Sequence, residues 1–344
     1  MAIKGRVSLI VATFNCEKTI RNLLESVLSL DWEDLELIIV DNGSKDNTLL
    51  IIEEEMPELE KRCVTKLIKL PRNVGFCRAA NVAVQNSLGE FLCFIDHDIE
   101  MMPQVLKELI ARLESNNSIG AVQPKVISAY DRISIDSHDI NEHGSIKGTN
   151  ACLYKKSRRI LYPIGACFAT RRKTYDQIGG FYDDFFVGNA DVDFGWRIWL
   201  FGYSVESVPS CEIYHTRGTL SKMERTRILG YNDFKNKTVM IIQNFEKKNV
   251  ILFLPRLFRE FLACLILNRS FQFYMRLKAL VWVARHFKLF IKRRRFIQHS
   301  RKIRDEKLTG MLEYIFPVRA KIAKRMHLSS IDLNAFNTSI KNTF

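Results

Sequence analysis

The chain has no two cysteines at C-x-x-C spacing: its eight cysteines (Cys16, Cys63, Cys77, Cys93, Cys152, Cys167, Cys211, Cys264) are scattered, several in strand-like apolar runs. That spacing argues against a zinc site or a disulfide frame and for reduced, buried thiols in a cytosolic setting. Also missing is any stretch of roughly twenty uncharged apolar residues, the length a spanning helix needs. Met1 to Gly5 runs straight into a strand pattern, so no signal peptide is expected. Residues 12–18 contain no glycine and only Lys18 as a basic residue, which counts against a Gly-rich, basic loop for a triphosphate. Disorder is not indicated. With 47% hydrophobic residues, 344 residues can bury a large core, in one domain with an appendage or in two.

Charge is unevenly spread. Residues 1–230 hold 28 Lys+Arg against 31 Asp+Glu, whereas residues 231–310 hold 19 against 5, which equals the net +14 of the whole chain. A basic excess confined to one module points to an anionic partner for that module.

Val7-Ser-Leu-Ile-Val-Ala12 is a continuous β-rich apolar run, as in a strand buried on both faces. Cys16 to Leu30 then repeats apolar residues at helical spacing. Strands at 35–40, 65–70 and 90–95 alternate with helices at 46–56 and 76–87. This βαβ rhythm predicts a doubly wound, mainly parallel α/β sheet, whose right-handed crossovers bring the loops after the strands to one edge. A helix over 103–116 and a strand over 119–126 come next.

Phe91-Leu-Cys-Phe-Ile-Asp96-His97-Asp98 is the stretch around which the rest is organised. Asp96 and Asp98, two residues apart on an extended segment, point the same way. They arrive in the crevice beyond the strand ends, where open α/β sheets bind ligands. Two hard oxygen ligands there suit Mg²⁺ or Mn²⁺ with a diphosphate completing the coordination. The same triplet also fits an Asx-turn closing a strand. Three neighbouring loops carry polar residues suited to a nucleotide: Thr13 and Asn15, then Asp41, then Arg72, Asn73 and Gly75, with Arg78 shortly after. Asp41 can accept from a base or ribose, and Arg72 or Arg78 can stack on a base or contact phosphate. Asp41-Asn-Gly-Ser44 reads equally well as a helix cap and tight turn, and Asn81 as a polar position on its helix.

The polar stretch 128–156, with His138 and His143, has no period and is expected to be a loop over the site. A strand is expected over Tyr162 to Ala169, with Gly165 and Ala166 small enough for close approach. Asp191 and Asp193 open a helix that Gly202 closes. Carboxylates there are stabilised by free N–H groups, and a carboxylate at a pocket rim is also what a general base needs. Strands at 202–208 and 213–215 come next, ending at His215, either structural or a further metal ligand.

The order of Val7-Ser-Leu-Ile-Val-Ala-Thr-Phe-Asn15, Asp41-Asn-Gly-Ser44, Asn73-Val-Gly-Phe76 through Asn81, Asp96-His-Asp98, Gly179-Gly-Phe181, Asp191-Val-Asp193 and His215 resembles the family-two glycosyltransferases of GT-A fold. The likeness is strongest to the rhamnosyltransferase-like branch of surface-polysaccharide assembly and covers about the first two thirds of the chain. It implies an inverting transferase: Asp41 on the base or ribose of a nucleotide sugar, Asp96 and Asp98 on the metal-bound diphosphate, His215 as a further ligand, Asp191 as base. In that family an acidic residue commonly precedes the base; here it is Ala190, which leaves Asp193 as a sharer or substitute.

Residues 250–267 and 271–291 are Phe- and Leu-rich, helix-like and interrupted by Arg256, Arg259, Arg276, Arg285 and Lys288. Interfacial helices on an anionic membrane fit this pattern, and so do helices packed on the catalytic domain with a solvated basic face. No nucleic-acid fold accompanies the stripe. The expected plan is a catalytic domain over 1–230, with a nucleotide-sugar half to about 125 and an acceptor half to 230, and then a basic helical region over 231–344. Such a chain would work as a peripheral protein on the cytoplasmic face of a membrane, with a lipid-linked saccharide as acceptor. A sugar nucleotidyltransferase and an inactive, membrane-binding scaffold are the alternatives.

Overall fold

The computed structural model describes residues 2–129, 139–140, 146–147, 157–216, 222–266 and 270–308. His138, His143, residues 217–221 and everything after 308 lie outside the described residues. The chain runs β1 (Ile3–Thr13), α1 (Ile20–Leu28), β2 (Leu35–Asp41), α2 (Thr48–Arg62), β3 (Val64–Lys69), α3 (Phe76–Gln85), β4 (Gly89–Ile95), β5 (Ile99–Met101), α4 (Val105–Ser115) and β6 (Ile119–Ser128). After the two-residue strands β7 (Asp139–Ile140), β8 (Ile146–Lys147) and β9 (Arg158–Arg159) come β10 (Cys167–Arg171), α5 (Arg172–Ile178), α6 (Ala190–Leu200) and β11 (Ser204–His215). Four helices close the described chain: α7 (Lys222–Asn244), α8 (Lys247–Ile266), α9 (Ser270–Arg285) and α10 (Phe287–Ser300).

β3, β2, β1 and β4 lie side by side and parallel, in register so that Thr13 stands beside Asp41 and Asp41 beside Lys69. The apolar runs of β1, β2 and β4 are buried between helices on both faces, β3 is the more exposed edge, and the parallel register leaves the strand ends level at one edge. Beyond β4 the sheet turns mixed, in the order β10, β6, β11, β5; β10 is antiparallel to both neighbours and β5 antiparallel to β11. Leu9, Leu24, Leu37, Ile52 and Leu109 fill one side of the sheet. Ile10, Phe94, Phe168, Phe194 and Trp196 fill the other.

Three expectations change. Residues 162–166 are not a strand; only Cys167–Arg171 pairs, because Pro163 has no N–H to give and the Gly165 amide is engaged elsewhere. The two short strands expected over 202–215 are one, β11, whose register slips between Val208 and Glu212 around Pro209. The helix expected over 271–291 breaks at His286, whose Nδ1 lies 2.8 Å from the Trp282 carbonyl oxygen. α7 begins at Lys222, before the helical region expected from residue 231, and its inward packing was not expected. Phe234, Met240 and Phe245 of α7, with Phe290 and Ile297 of α10, belong to the same core as Phe94 and Phe168. The expected boundary at residue 230 thus falls inside α7, whose side chains belong to that core.

Candidate active site

On the nucleotide side, strand ends fix short loops to one another. Asp41 is buried where β2 stops; its carboxylate accepts from the Ser44 amide at 3.2 Å and from the Thr13 hydroxyl at 3.4 Å. The turn reading of Asp41-Asn-Gly-Ser44 is therefore realised, with the acid still at the sheet edge. Asn15 sits in left-handed backbone (φ 49°), accepting from Lys45 N at 2.8 Å and donating its own N–H to the Ser44 hydroxyl at 3.0 Å. Asn73 Oδ1 accepts from Gly75 N at 2.9 Å and from Asn42 Nδ2 at 3.1 Å, and Asn42 Oδ1 accepts from Val74 N at 2.8 Å. Asn42 had no expected role beyond its place in Asp41-Asn-Gly-Ser44, and that place in the motif was the available signal. Gly75 has φ 88°, and a Cβ there would lie 2.6 Å from the Phe186 Cα, so no other residue fits. Arg72 and Arg78 are exposed. Asn81 is more than a polar surface position: it bonds the Phe181 carbonyl at 3.0 Å, Asp183 at 2.5 Å and the Tyr175 hydroxyl, fastening the Gly179-Gly180-Phe181 turn.

The acid triplet comes directly after β4. Pairing of Ile99 with His215 between β5 and β11 sets the His215 Nε2 at 3.2 Å from Asp98 Oδ2. The Asp98 carbonyl is held by both the amide and the hydroxyl of Thr216, each at 2.9 Å. His97 turns the other way, its Nδ1 2.9 Å from the Thr19 hydroxyl, and burial lowers its pKa. Asp96 is enclosed beside this pair. Burial first, then the charges of Asp98 and Asp191, push its carboxyl up to about 7 against the opposite pull of His215. Asp96 raised by the neighbouring Asp98 charge, with the buried His215 Nδ1 lacking a partner among the described residues, makes a site short of positive charge. Among the described residues no three His, Cys, Asp or Glu side chains converge as a ready-made cage. A pair is nevertheless what Mg²⁺ or Mn²⁺ needs when diphosphate and water complete the shell, so Asp98 and His215, with Asp96 adjacent, fit such an ion.

Asp96 N donates to the Ala166 carbonyl at 2.9 Å, and the next residue along, Gly165, donates its N–H to Asp191 Oδ2 at 3.2 Å. The irregular 162–166 segment therefore brings the start of α6 up to the acid triplet. Asp191 Oδ1 accepts from Val192 N at 2.9 Å, and enclosure raises its carboxyl pKa against the pull of these two amides. Asp193, two residues on, points into the core instead. Its Oδ2 accepts from Arg197 Nε at 2.9 Å and lies 2.7 Å from Arg197 Nη2, its Oδ1 accepts from Asn244 Nδ2 at 3.0 Å, and the pair is 1% and 0% exposed. One aspartate faces the edge and one is committed to the interior.

The loop before α6 is held by α7. Asn236 Nδ2 donates to the carbonyls of Val187 and Gly188 at 3.0 and 2.7 Å, and Asn189 donates to Asp233 at 3.0 Å. Lys235 Nζ donates to the Asp184 carbonyl at 2.6 Å while lying 4.6 Å over the Trp282 ring; burial pushes its pKa down to about 8. These α7 residues also escaped the sequence reading, because a helix that buries Asn and Lys has no clean apolar stripe.

A sheet that is parallel in its first half and mixed beyond, with an Asp-x-Asp turn at its edge facing a helix-initial aspartate, defines a GT-A type transferase. The profile of the family described as "Glycosyl transferase family 2" matches residues 8–179, half of the chain, and the chain belongs to that family. The match contains Thr13, Asn15, Asp41, Asn73, Gly75, Arg78, Asp96 and Asp98 and stops short of Asp191, Asp193 and His215. Poly-beta-1,6-N-acetyl-D-glucosamine synthase of Staphylococcus epidermidis is 26% identical over 206 residues, 59% of this chain and 48% of that protein. Poly(ribitol-phosphate) beta-N-acetylglucosaminyltransferase TarS of Staphylococcus aureus is 34% identical over 116 residues, 33% of this chain and 20% of that one. The chain thus spans about half or less of the curated relatives it matches. The solved structure of S. aureus TarS with UDP-GlcNAc superposes with TM-score 0.57 at 20% identity, covering 97% of this chain and 90% of that one. A Pyrobaculum calidifontis mannosyltransferase with GDP-Man and Mn²⁺ gives 0.54 at 17% identity, over 91% and 87%. At these identities the likeness shows the fold.

Proposed function

We propose that this chain transfers a sugar from a nucleoside-diphosphate sugar to a hydroxyl of a lipid-linked saccharide, inverting the anomeric carbon, with Mg²⁺ or Mn²⁺ at Asp98 and His215. The observation that carries the reading is the split between the two helix-initial acids: Asp191 faces Asp96 across Gly165 and Ala166, while Asp193 is consumed by Arg197 and Asn244. Thr13, Asn15, Asp41 and Asn73 hold the nucleoside, with Arg72 and Arg78 toward base or phosphate. A bound divalent ion would neutralise charge on the departing diphosphate. Asp191, oriented by the Gly165 and Val192 amides and made more basic by its enclosure, accepts the acceptor's hydroxyl proton. The acceptor oxygen bonds to the anomeric carbon as the sugar–phosphate bond breaks, and the electron pair leaves with the nucleoside diphosphate. A single displacement inverts the centre. The nucleotide-sugar and Mn²⁺ complexes of the fold's relatives support donor and ion class.

The same proposal puts the chain peripherally on the cytoplasmic face of a membrane, where its basic C-terminal helices meet anionic lipid. Among the described residues no helix is long and apolar enough to cross a bilayer. Product NMR on the transferred sugar tests the chemistry. Inversion, with Asp191→Asn inactive and Asp193→Asn unstable, supports it; retention of the donor's configuration overturns it. No turnover of any donor favours the inactive scaffold, which Ala190 already suggests.

A further inference from the structure

The four C-terminal helices divide into two pairs with different surroundings. α7 and α10 are tied to each other and to the body of the molecule: Arg294 of α10 donates to the Ile242 and Phe245 carbonyls at the end of α7, both at 2.6 Å, Asn236 of α7 to the Val187 and Gly188 carbonyls, and Lys302 N, just after α10, to the Leu200 carbonyl at 2.7 Å. α8 and α9 lean on each other and on α7 with one face only. Phe261 packs on Phe273 with ring centroids 4.5 Å apart, Phe253 stacks on Phe245 at 5.1 Å, and Ala279 and Val283 are buried. Arg276 is also spent inward, over the Phe234 ring at 5.2 Å, and does not join the outward basic set expected from the sequence.

The outer faces carry large apolar side chains in helical register. On α8 these are Phe258 (62% exposed), Leu262 and Ile266 (83%), spaced four apart; on α9 they are Tyr274, Leu277 and Val281, spaced three and four. Two such stripes run along both arms of one hairpin. A solvated helix face does not repeat Phe, Leu and Ile at every turn, so this face has an apolar partner. Charge chooses among partners. Residues 247–285 hold eight Lys+Arg against a single acid, Glu260, and Lys247, Lys248, Arg259 and Arg285 are exposed. A second copy of this chain would bring the same positive charge against it, whereas an anionic bilayer supplies both the apolar depth and the opposite charge.

We infer that the α8–α9 hairpin is the element that enters an anionic membrane surface, with Phe258, Leu262 and Ile266 in the acyl boundary, while α7 stays on protein and α10, which packs Phe290 on Trp282 of α9, adds exposed Phe287 and Leu289 at the hairpin's end. This deepens the proposed function, giving the membrane contact to one hairpin rather than to the whole basic region. It also fixes the active site to the lipid surface, since α7 carries the hairpin at one end and holds the 184–189 loop with its side chains.

The test is flotation of the full chain with vesicles of 70% phosphatidylcholine and 30% phosphatidylglycerol, beside pure phosphatidylcholine. The variants are Phe258→Glu with Ile266→Glu, and Leu50→Glu on α2, an equally exposed apolar position off the hairpin. Wild type and Leu50→Glu are expected to float with the anionic vesicles and far less with neutral ones. The double variant is expected to lose at least tenfold in binding while keeping its melting point and its nucleotide-induced thermal shift. Equal flotation by the double variant, or none by wild type, overturns the inference. So does conversion of a lipid-free dimer to monomer by the double variant, which gives the face to a second copy. Nucleotide binding read on the same preparations separates failure of the membrane inference from failure of the transferase reading.

Discussion

The two walls of the candidate site are built differently. On the nucleotide side, the loops carrying Thr13, Asn15, Asp41, Asn42 and Asn73 hold one another through bonds between strand ends about 30 residues apart, all inside the stretch from β1 to the loop after β3. On the acceptor side, the loop carrying Asp191 is held by α7, 44 to 51 residues downstream, through Asn236, Asp233, Lys235 and Asn244. The first wall is held mainly by residues close in the chain, and it meets the second where Phe76 N donates to the Phe186 carbonyl at 2.9 Å. The second depends on a helix later in the chain. The family match, ending at residue 179, falls close to the junction.

The comparison is sharpest at two aspartates separated by one residue. Asp191→Asn should lower kcat by about 10²- to 10⁴-fold, the usual contribution of a positioned base, with melting point and nucleotide binding kept. Asp193→Asn should instead unfold the second wall, since removing one partner of a buried pair costs about 3–5 kcal/mol; differential scanning calorimetry and steady-state kinetics separate the two outcomes. If Asp193→Asn is stable and only slow, the wall assignment is wrong. Next in size is Gly75→Ala, which puts a Cβ 2.6 Å from Phe186 Cα at positive φ and should cost about 1–3 kcal/mol while raising the donor KM. Asn236→Ala should cost a similar or smaller amount in stability, about 1–3 kcal/mol for its two buried carbonyls, but lower kcat with donor KM unchanged. Equal effects of these two variants on KM would break the division.

The smallest effect is in pH. A base whose carboxyl is raised by enclosure must lose its proton to act, so kcat/KM should fall as pH drops through that raised value. The stability sign is opposite to that of a salt-bridged acid. The folded state holds this proton more tightly than the unfolded chain, so Asp191 costs stability as pH rises from 3.8 through the folded pKa. At neutral pH, Asp191→Asn should therefore melt no lower than wild type, and a thermal melt at about pH 7 checks it.

The first wall was readable because its elements follow closely in the chain. Continuous apolar runs and βαβ spacing placed β1 to β4, and each polar residue at a strand end therefore had a known address. Where the period failed, the reading failed: Pro163 and Gly165 broke the expected strand at 162–166, and the three residues of β5 were too few to register. The part played by α7 in the core was not legible, although helix was expected from residue 231, because its buried face carries Lys235, Asn236 and Asn244, polar groups satisfied by carbonyls and a carboxylate that only the fold supplies. Asp193 could not be told from Asp191 by pattern, since the distinction lies in Arg197 one helical turn later and in Asn244 from another helix. The basic stripe was legible as charge, but its division between protein-facing Arg276 and exposed Arg259 was not.

The most direct test of the account is a thermal-shift panel of the full chain with uridine, guanosine, thymidine, cytidine and adenosine diphosphates, with and without Mn²⁺, beside Asp98→Asn. A ligand at about a hundred times its Kd stabilises by about 2.7 kcal/mol, a shift of several degrees for a chain of this size. The account predicts that one base raises the melting point, that Mn²⁺ is required, and that Asp98→Asn abolishes the metal-dependent part. No shift with any nucleotide, or an equal shift in Asp98→Asn, would contradict it.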